Sequence, residues 1–183
     1  MYTTFQSLIA WGGFDEEQED ENLLNALILT ASAIIDNYTQ KSFESDEETE
    51  VTFYRYRGYE NSRFDGRNLY FFNWLAEAPS AVTDSPTVLY LPETGPPYYG
   101  MYLVDGTWAY PSVAVTGHWA YSKTAPYPVQ QACLRLAKWL YNQKDTYNGA
   151  EAIVTPEGQV LIPTGLPNDV VQLLAPYRGV RLA

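Results

Sequence analysis

Residues 113–144, VAVTGHWAYSKTAPYPVQQACLRLAKWLYNQK, change their hydrophobic period part-way along, and that change decides the fold class. Val113, Val115, Gly117, Trp119 and Tyr121 recur at every second position, which places them on one face of an extended strand. From Pro128 onward the apolar residues Val129, Ala132, Cys133, Leu136 and Leu140 recur at steps of three and four, the stripe of an amphipathic helix. Pro128 suits the first turn, where its missing N–H costs nothing, and Asn148-Gly149 supplies a stop. Strand and helix signals in separate blocks predict an α+β chain.

Working outward, Leu23, Leu24, Leu27, Ile28, Ala31, Ile34, Ile35 and Tyr38 form a second helical stripe within 15–38. Six acids, Asp15, Glu16, Glu17, Glu19, Asp20 and Glu21, crowd its predicted first turns, where the positive end of the helix dipole favours them. A shorter amphipathic stretch, Phe5 to Trp11, is stopped by Gly12-Gly13. Between 50 and 121 the pattern predicts strands over Glu50–Arg57, Thr87–Leu91 and Val113–Tyr121, with two-residue hairpin signals at Asp65-Gly66 and Asp105-Gly106. Ile153-Val154 and Val160-Leu161-Ile162 flank Pro156-Glu157-Gly158, the pattern of a projecting hairpin. A last short helix is predicted over Asn168–Ala175, ended by Pro176.

The chain of 183 residues predicts one domain with a sizeable core. At 46% hydrophobic and 18% charged it lies far from disordered composition. No apolar run approaches the ~18 residues of a bilayer crossing, and the N-terminus lacks the basic start of an export signal, so a soluble, unexported protein without membrane association is expected. Net charge is −11, and its distribution is uneven. Residues 1–50 hold 12 acids and one base, Lys41, whereas the rest of the chain holds ten of each. A nucleic-acid grip needs clustered Lys/Arg to release counterions, and the dominant field here has the wrong sign.

Catalytic and metal chemistry find little to work with. Cys133 is the sole cysteine, which excludes an intrachain disulfide and points to core filling; His118 is the sole histidine, which excludes multi-His metal sites. His118 sits in TGHWAYS beside no nucleophile motif and is expected to lie mid-strand. There is no Gly-rich phosphate loop of the Lys-Ser/Thr kind. The run FDEEQEDEN lacks the central Gly and spaced Glu of a calcium loop, and ESDEETE reads as a solvated loop entering a strand. No enzyme activity, catalytic residue, metal or cofactor is expected. The 16 Tyr, 5 Trp and 7 Phe have two readings, ordinary cross-strand packing within the sheet or a surface that recognises protein or sugar, with Tyr98-Tyr99 expected to be exposed.

The order of elements adds a more specific signal. A helix ends in AIIDNYTQKSF, the strand VAVTGHWAYS leads through a proline into an Ala-containing helix at 128–144, and the chain closes with LPNDVVQLLAPYRGVRLA. Ala33 to Thr39 matches an A-x-x-x-x-x-Tyr-Thr helix end, and Leu166, Pro167, Val170, Leu173, Leu174, Pro176, Tyr177 and Arg178 match a Leu-Pro, apolar, Leu-Leu-x-Pro-Tyr-Arg closure. In these features, over about half its length, the sequence resembles the head-to-tail connector, or adaptor, proteins of long-tailed bacteriophages.

The resemblance implies a small helical bundle, two main helices with short terminal ones, carrying an inserted antiparallel β region at about 50–121 and an extra hairpin at about 150–163. It implies a structural virion protein of the neck, assembled in the host cytoplasm. The implied partners are sister copies in a ring, usually a dodecamer, a portal protein, a stopper or tail-completion protein, and passing DNA that is not specifically bound. Tyr177, Arg178, Arg181 and Leu182 then become candidate portal contacts. Asp15, Glu16, Glu17, Glu19, Asp20 and Glu21 become candidates for the channel or its rim, because an acidic lining lets a polyanion slide. Acids pairing with a basic partner patch are the competing role. The alternative from another class is a carbohydrate- or receptor-binding β-rich tail module, favoured by the aromatic surplus and opposed by two strongly periodic helices.

Overall fold

The structure is a computed structural model, and it describes residues 1–15, 17, 19–55, 62–83, 89–91, 93, 95–108, 111–143, 153–154, 160–161 and 165–178. It is α+β: a small helical bundle carrying an inserted antiparallel β region and a further hairpin. The chain forms two compact units, a helical one from 1–40 and 127–183 and a β-rich one from 41–126.

In the helical unit, α1 spans Phe5–Gly12, α2 Glu21–Thr39, α3 Tyr127–Gln143 and α4 Asn168–Leu174. Thr4 caps α1 by accepting from the Ser7 N–H, and Gly13 closes it in the left-handed conformation, where a side chain would be strained. Leu24, Ile28, Ala31 and Ile35 of α2 are fully buried together with Val129, Ala132, Cys133 and Leu136 of α3 and with Val170 and Leu174 of α4. Both predicted stripes therefore face one core, each fully buried Leu or Ile contributing about 1.5–3 kcal/mol. Cys133 is buried there, its Sγ 3.6 Å from the Ser32 hydroxyl. One expectation changes: α2 begins at Glu21, not at residue 15, because the Asp20 side chain accepts from the Asn22 N–H and caps it. Only Glu21 lies in the first turn; Asp15, Glu17 and Glu19 precede the helix. After α4 the chain makes a 3-10 turn, Ala175–Tyr177, that includes Pro176. β8 (Ile153–Val154) and β9 (Val160–Leu161) pair antiparallel as predicted, while the Pro156-Glu157-Gly158 turn and the Asn148-Gly149 stop lie outside the described residues.

The β unit holds a three-stranded sheet in the order β1-β7-β4 and a four-stranded sheet in the order β2-β3-β6-β5. Their ranges are β1 Thr49–Tyr54, β2 Ser62–Asp65, β3 Asn68–Leu75, β4 Ala81–Thr83, β5 Leu89–Tyr90, β6 Tyr98–Leu103 and β7 Ser112–Gly117. One core joins the sheets: Phe53, Val113 and Val115 from the first, Leu69, Phe71, Leu75, Met101 and Leu103 from the second, and Trp108 from the connection between them. The Asp65-Gly66 signal is borne out, with Asp65 paired to Asn68 across a tight β2–β3 loop. The Asp105-Gly106 signal is not a hairpin. β6 and β7 belong to different sheets, and the segment carries the chain across the core, where Trp108 is fully buried and its indole N–H donates to the Arg67 carbonyl at 2.8 Å. β7 also stops at Gly117, so His118 and Trp119 lie beyond the strand, not within it.

Candidate functional site

The acidic run is held by the helical unit on its own side chains. Phe14 sets its ring edge against Tyr141 of α3, with centroids 4.7 Å apart at 68°. Gly12 permits this, since a Cβ there would lie 2.3 Å from the Phe14 ring. The Tyr141 hydroxyl donates to the Glu19 carboxylate at 2.7 Å, and Lys138 donates to the Gly12 carbonyl at 2.6 Å. The Asp15 carboxylate accepts from the Glu17 N–H and its carbonyl from the Glu19 N–H, which folds the run into a turn. Asp15, Glu17, Asp20 and Glu21 remain exposed and Glu19 is half-buried. The structure thus displays four described carboxylates on an anchored turn; Glu16 lies outside the described residues.

The predicted C-terminal contacts divide. Tyr177 is half-buried in the 3-10 turn, and Arg178, exposed, lies over the Tyr38 ring of α2 with its guanidinium 5.3 Å from the centroid. Arg181 and Leu182 lie outside the described residues. Nearby on α3, Arg135 pairs with Asp169 of α4 at 2.6 Å; the hydrogen bond from Arg135 is the main reason the Asp169 carboxyl sits below its usual range.

In the β unit His118 lies among three oxygen atoms. Its Nδ1 is 3.0 Å from the Ser45 carbonyl, and its Nε2 faces Glu77 at 3.4 Å and Glu48 at 3.8 Å. Lys123 pairs with Glu77 at 2.7 Å, and its hydrogen bond is the main cause of the lowered Glu77 carboxyl. This arrangement secures part of the second acidic run, since Glu48 also accepts from Ser80 and Glu44 from the Ala125 N–H. No group of three metal-ligating side chains suited to a metal ion occurs among the described residues. Of the pair Tyr98-Tyr99, Tyr99 is 46% exposed as expected, whereas Tyr98 is half-buried against the core.

Sequence reasoning missed the exposed outer side of β2 and β3, where Arg63, Tyr70 and Phe72 stand. In NLYFFNWL both faces of the strand are apolar, so alternation alone does not tell which faces the core.

The whole chain matches solved structures. A chain in the neck of an empty gene transfer agent particle, computed with C6 symmetry, superposes with a TM-score of 0.65 at 14% identity, covering 100% of this chain and 92% of that one. A chain in the neck of a native particle, computed with C12 symmetry, gives 0.58 at 15% identity, covering 100% and 95%. This chain shares its fold with those chains. No family model and no curated protein matches the sequence. Among the described residues, no helix is long and apolar enough to cross a membrane.

Proposed function

We propose that this chain is a non-enzymatic ring subunit of a virion neck, joining the portal vertex to the stopper or tail and leaving a channel for DNA. The observation that carries the reading is the likeness of the entire chain, helical unit and β unit together, to chains of gene transfer agent necks in assemblies of six- and twelve-fold symmetry. The β region is then an elaboration inserted into one connector domain. The exposed carboxylates at Asp15, Glu17, Asp20 and Glu21, with Glu16 and Glu19 beside them, face the channel or its rim, where they repel phosphate and bind no particular sequence. Tyr177, Arg178, Arg181 and Leu182 contact the portal.

Electron microscopy of particles assembled without this protein tests the reading: filled heads lacking tails are expected, and normally tailed particles would refute it. Reversing Glu17 and Glu21 to Lys, which leaves the Asp20 cap and the Asp15 turn in place, should slow genome ejection while the ring persists; unchanged ejection timing removes the lining role. Removing residues 179–183 should leave a folded protein that no longer docks on the portal, and intact docking would remove Arg181 and Leu182 from that contact.

A further inference from the structure

We propose that the two outer faces of the β unit are the two halves of one head-to-tail contact, the bulky face of each copy of this chain lying on the flat face of the next. The inference rests on the ring reading above and specifies how neighbours meet. Around a closed ring of more than two subunits, successive copies touch through two different surfaces, because one patch meets itself only across a two-fold axis. The β unit offers such a pair.

Alternation along β2 and β3 sends Phe64, Leu69, Phe71 and Leu75 toward the core and leaves Arg63, Tyr70 and Phe72 outside, Arg63 directly opposite Tyr70 in the register. Tyr70 is 38% and Phe72 52% exposed. Arginine beside large aromatic rings is the composition of the energetic centre of protein–protein contacts. The other side of the unit has opposite relief. Across β1, β7 and β4 one row reads Glu50, Thr116, Ala81 and the next Thr52, Ala114, Thr83. Between Glu50 at one end and Tyr54, opposite Ser112 and 47% exposed, at the other, every side chain in these rows is small, so flat rings can lie against them.

The charges are complementary as well. Arg63 reaches Asp65 only at 3.9 Å, with both side chains about 60% exposed, which leaves its guanidinium open to a better partner. Arg67 is exposed at the tip of the same hairpin. On the flat side Glu50 is exposed and, with Asp46 and Glu47 in the loop before β1, has no ion pair among the described residues. A cationic aromatic face and a small-residue acidic face on opposite sides of one body stack front to back without limit until rotation closes the ring.

The test is charge exchange, read by the mass of assemblies in solution and on isolated portal-bearing heads. Phe72→Asp should raise the concentration needed for assembly about tenfold or more, the effect of losing one central contact. Arg63→Glu and Glu50→Arg should each weaken assembly, and the double variant should recover it, a rescue that misfolding does not produce. A wild-type ring indifferent to all of these substitutions overturns this inference alone. A wild-type chain that stays monomeric even on the heads overturns the ring reading with it. Loss of DNA retention by Arg63→Glu with assembly intact would assign the arginines to phosphate and also overturn the proposal.

Discussion

The two units of this chain reach stability by different routes. In the helical unit the core is aliphatic and locally specified: stripes at three- and four-residue spacing deliver Leu24, Ile28, Leu136 and Leu174 to one place, and a single capping side chain sets where α2 begins. In the β unit the core is aromatic and non-local, with Phe53 stacked on Phe71 at 5.1 Å and Trp119 set edge-on to both. Its register depends on strands far apart in sequence, such as β1 against β7. The lesson is that periodic spacing suffices to write a helix bundle, whereas a sheet needs close backbone approach and a few large anchors whose loss nothing nearby makes good.

That contrast gives an order of expected effects. Trp108→Ala should be the costliest change, about 3–5 kcal/mol, since it empties the centre of the β core and removes the donor to the Arg67 carbonyl. Leu136→Ala in the helical core should cost about 2–5 kcal/mol, and urea denaturation followed by tryptophan fluorescence and circular dichroism compares the two; a cheaper Trp108→Ala would break the distinction. Gly100→Ala comes next at about 1–3 kcal/mol, because its Cβ would sit 2.7 Å from the Leu69 carbonyl oxygen across the β3–β6 pair. An unchanged melting temperature would show that the strands can part without cost.

The smallest effect concerns acid. Asp169 in the helical unit and Glu77 in the β unit both have carboxyls held below their ordinary range, chiefly by hydrogen bonds from Arg135 and Lys123. A depressed folded value contributes stability that is present above the unfolded pKa, about 4, and is lost as pH falls through the folded value. Wild type should therefore lose more stability than Asp169→Asn between about pH 5 and pH 2, by a small margin that salt shrinks, because the pair is half exposed. Parallel pH profiles for the two proteins would remove Asp169 from acid sensitivity.

Legibility in the sequence follows the same division. The faces of α2 and α3 could be read because every core residue sits at a fixed local offset. The start of α2 could not, since six acids in seven positions all tolerate a helix end and only the contact from Asp20 to the Asn22 N–H decides among them. Asp105-Gly106 has the same local chemistry as Asp65-Gly66, yet the partner of the following strand is chosen by Trp108 and the shared core. The acidic run was visible as charge, whereas its anchoring through Phe14, Tyr141 and Gly12 depends on residues more than 120 positions apart. The bulky outer face of β3 was hidden because both of its faces are apolar.

The burial of Cys133 between α2 and α3 has a practical consequence. With its lone thiol shielded and no other in the chain, the protein is a blank background for maleimide chemistry. A fluorophore or spin label attached through one introduced surface cysteine reports from that position alone, so distances between equivalent points on assembled copies become measurable without first removing a native reactive group.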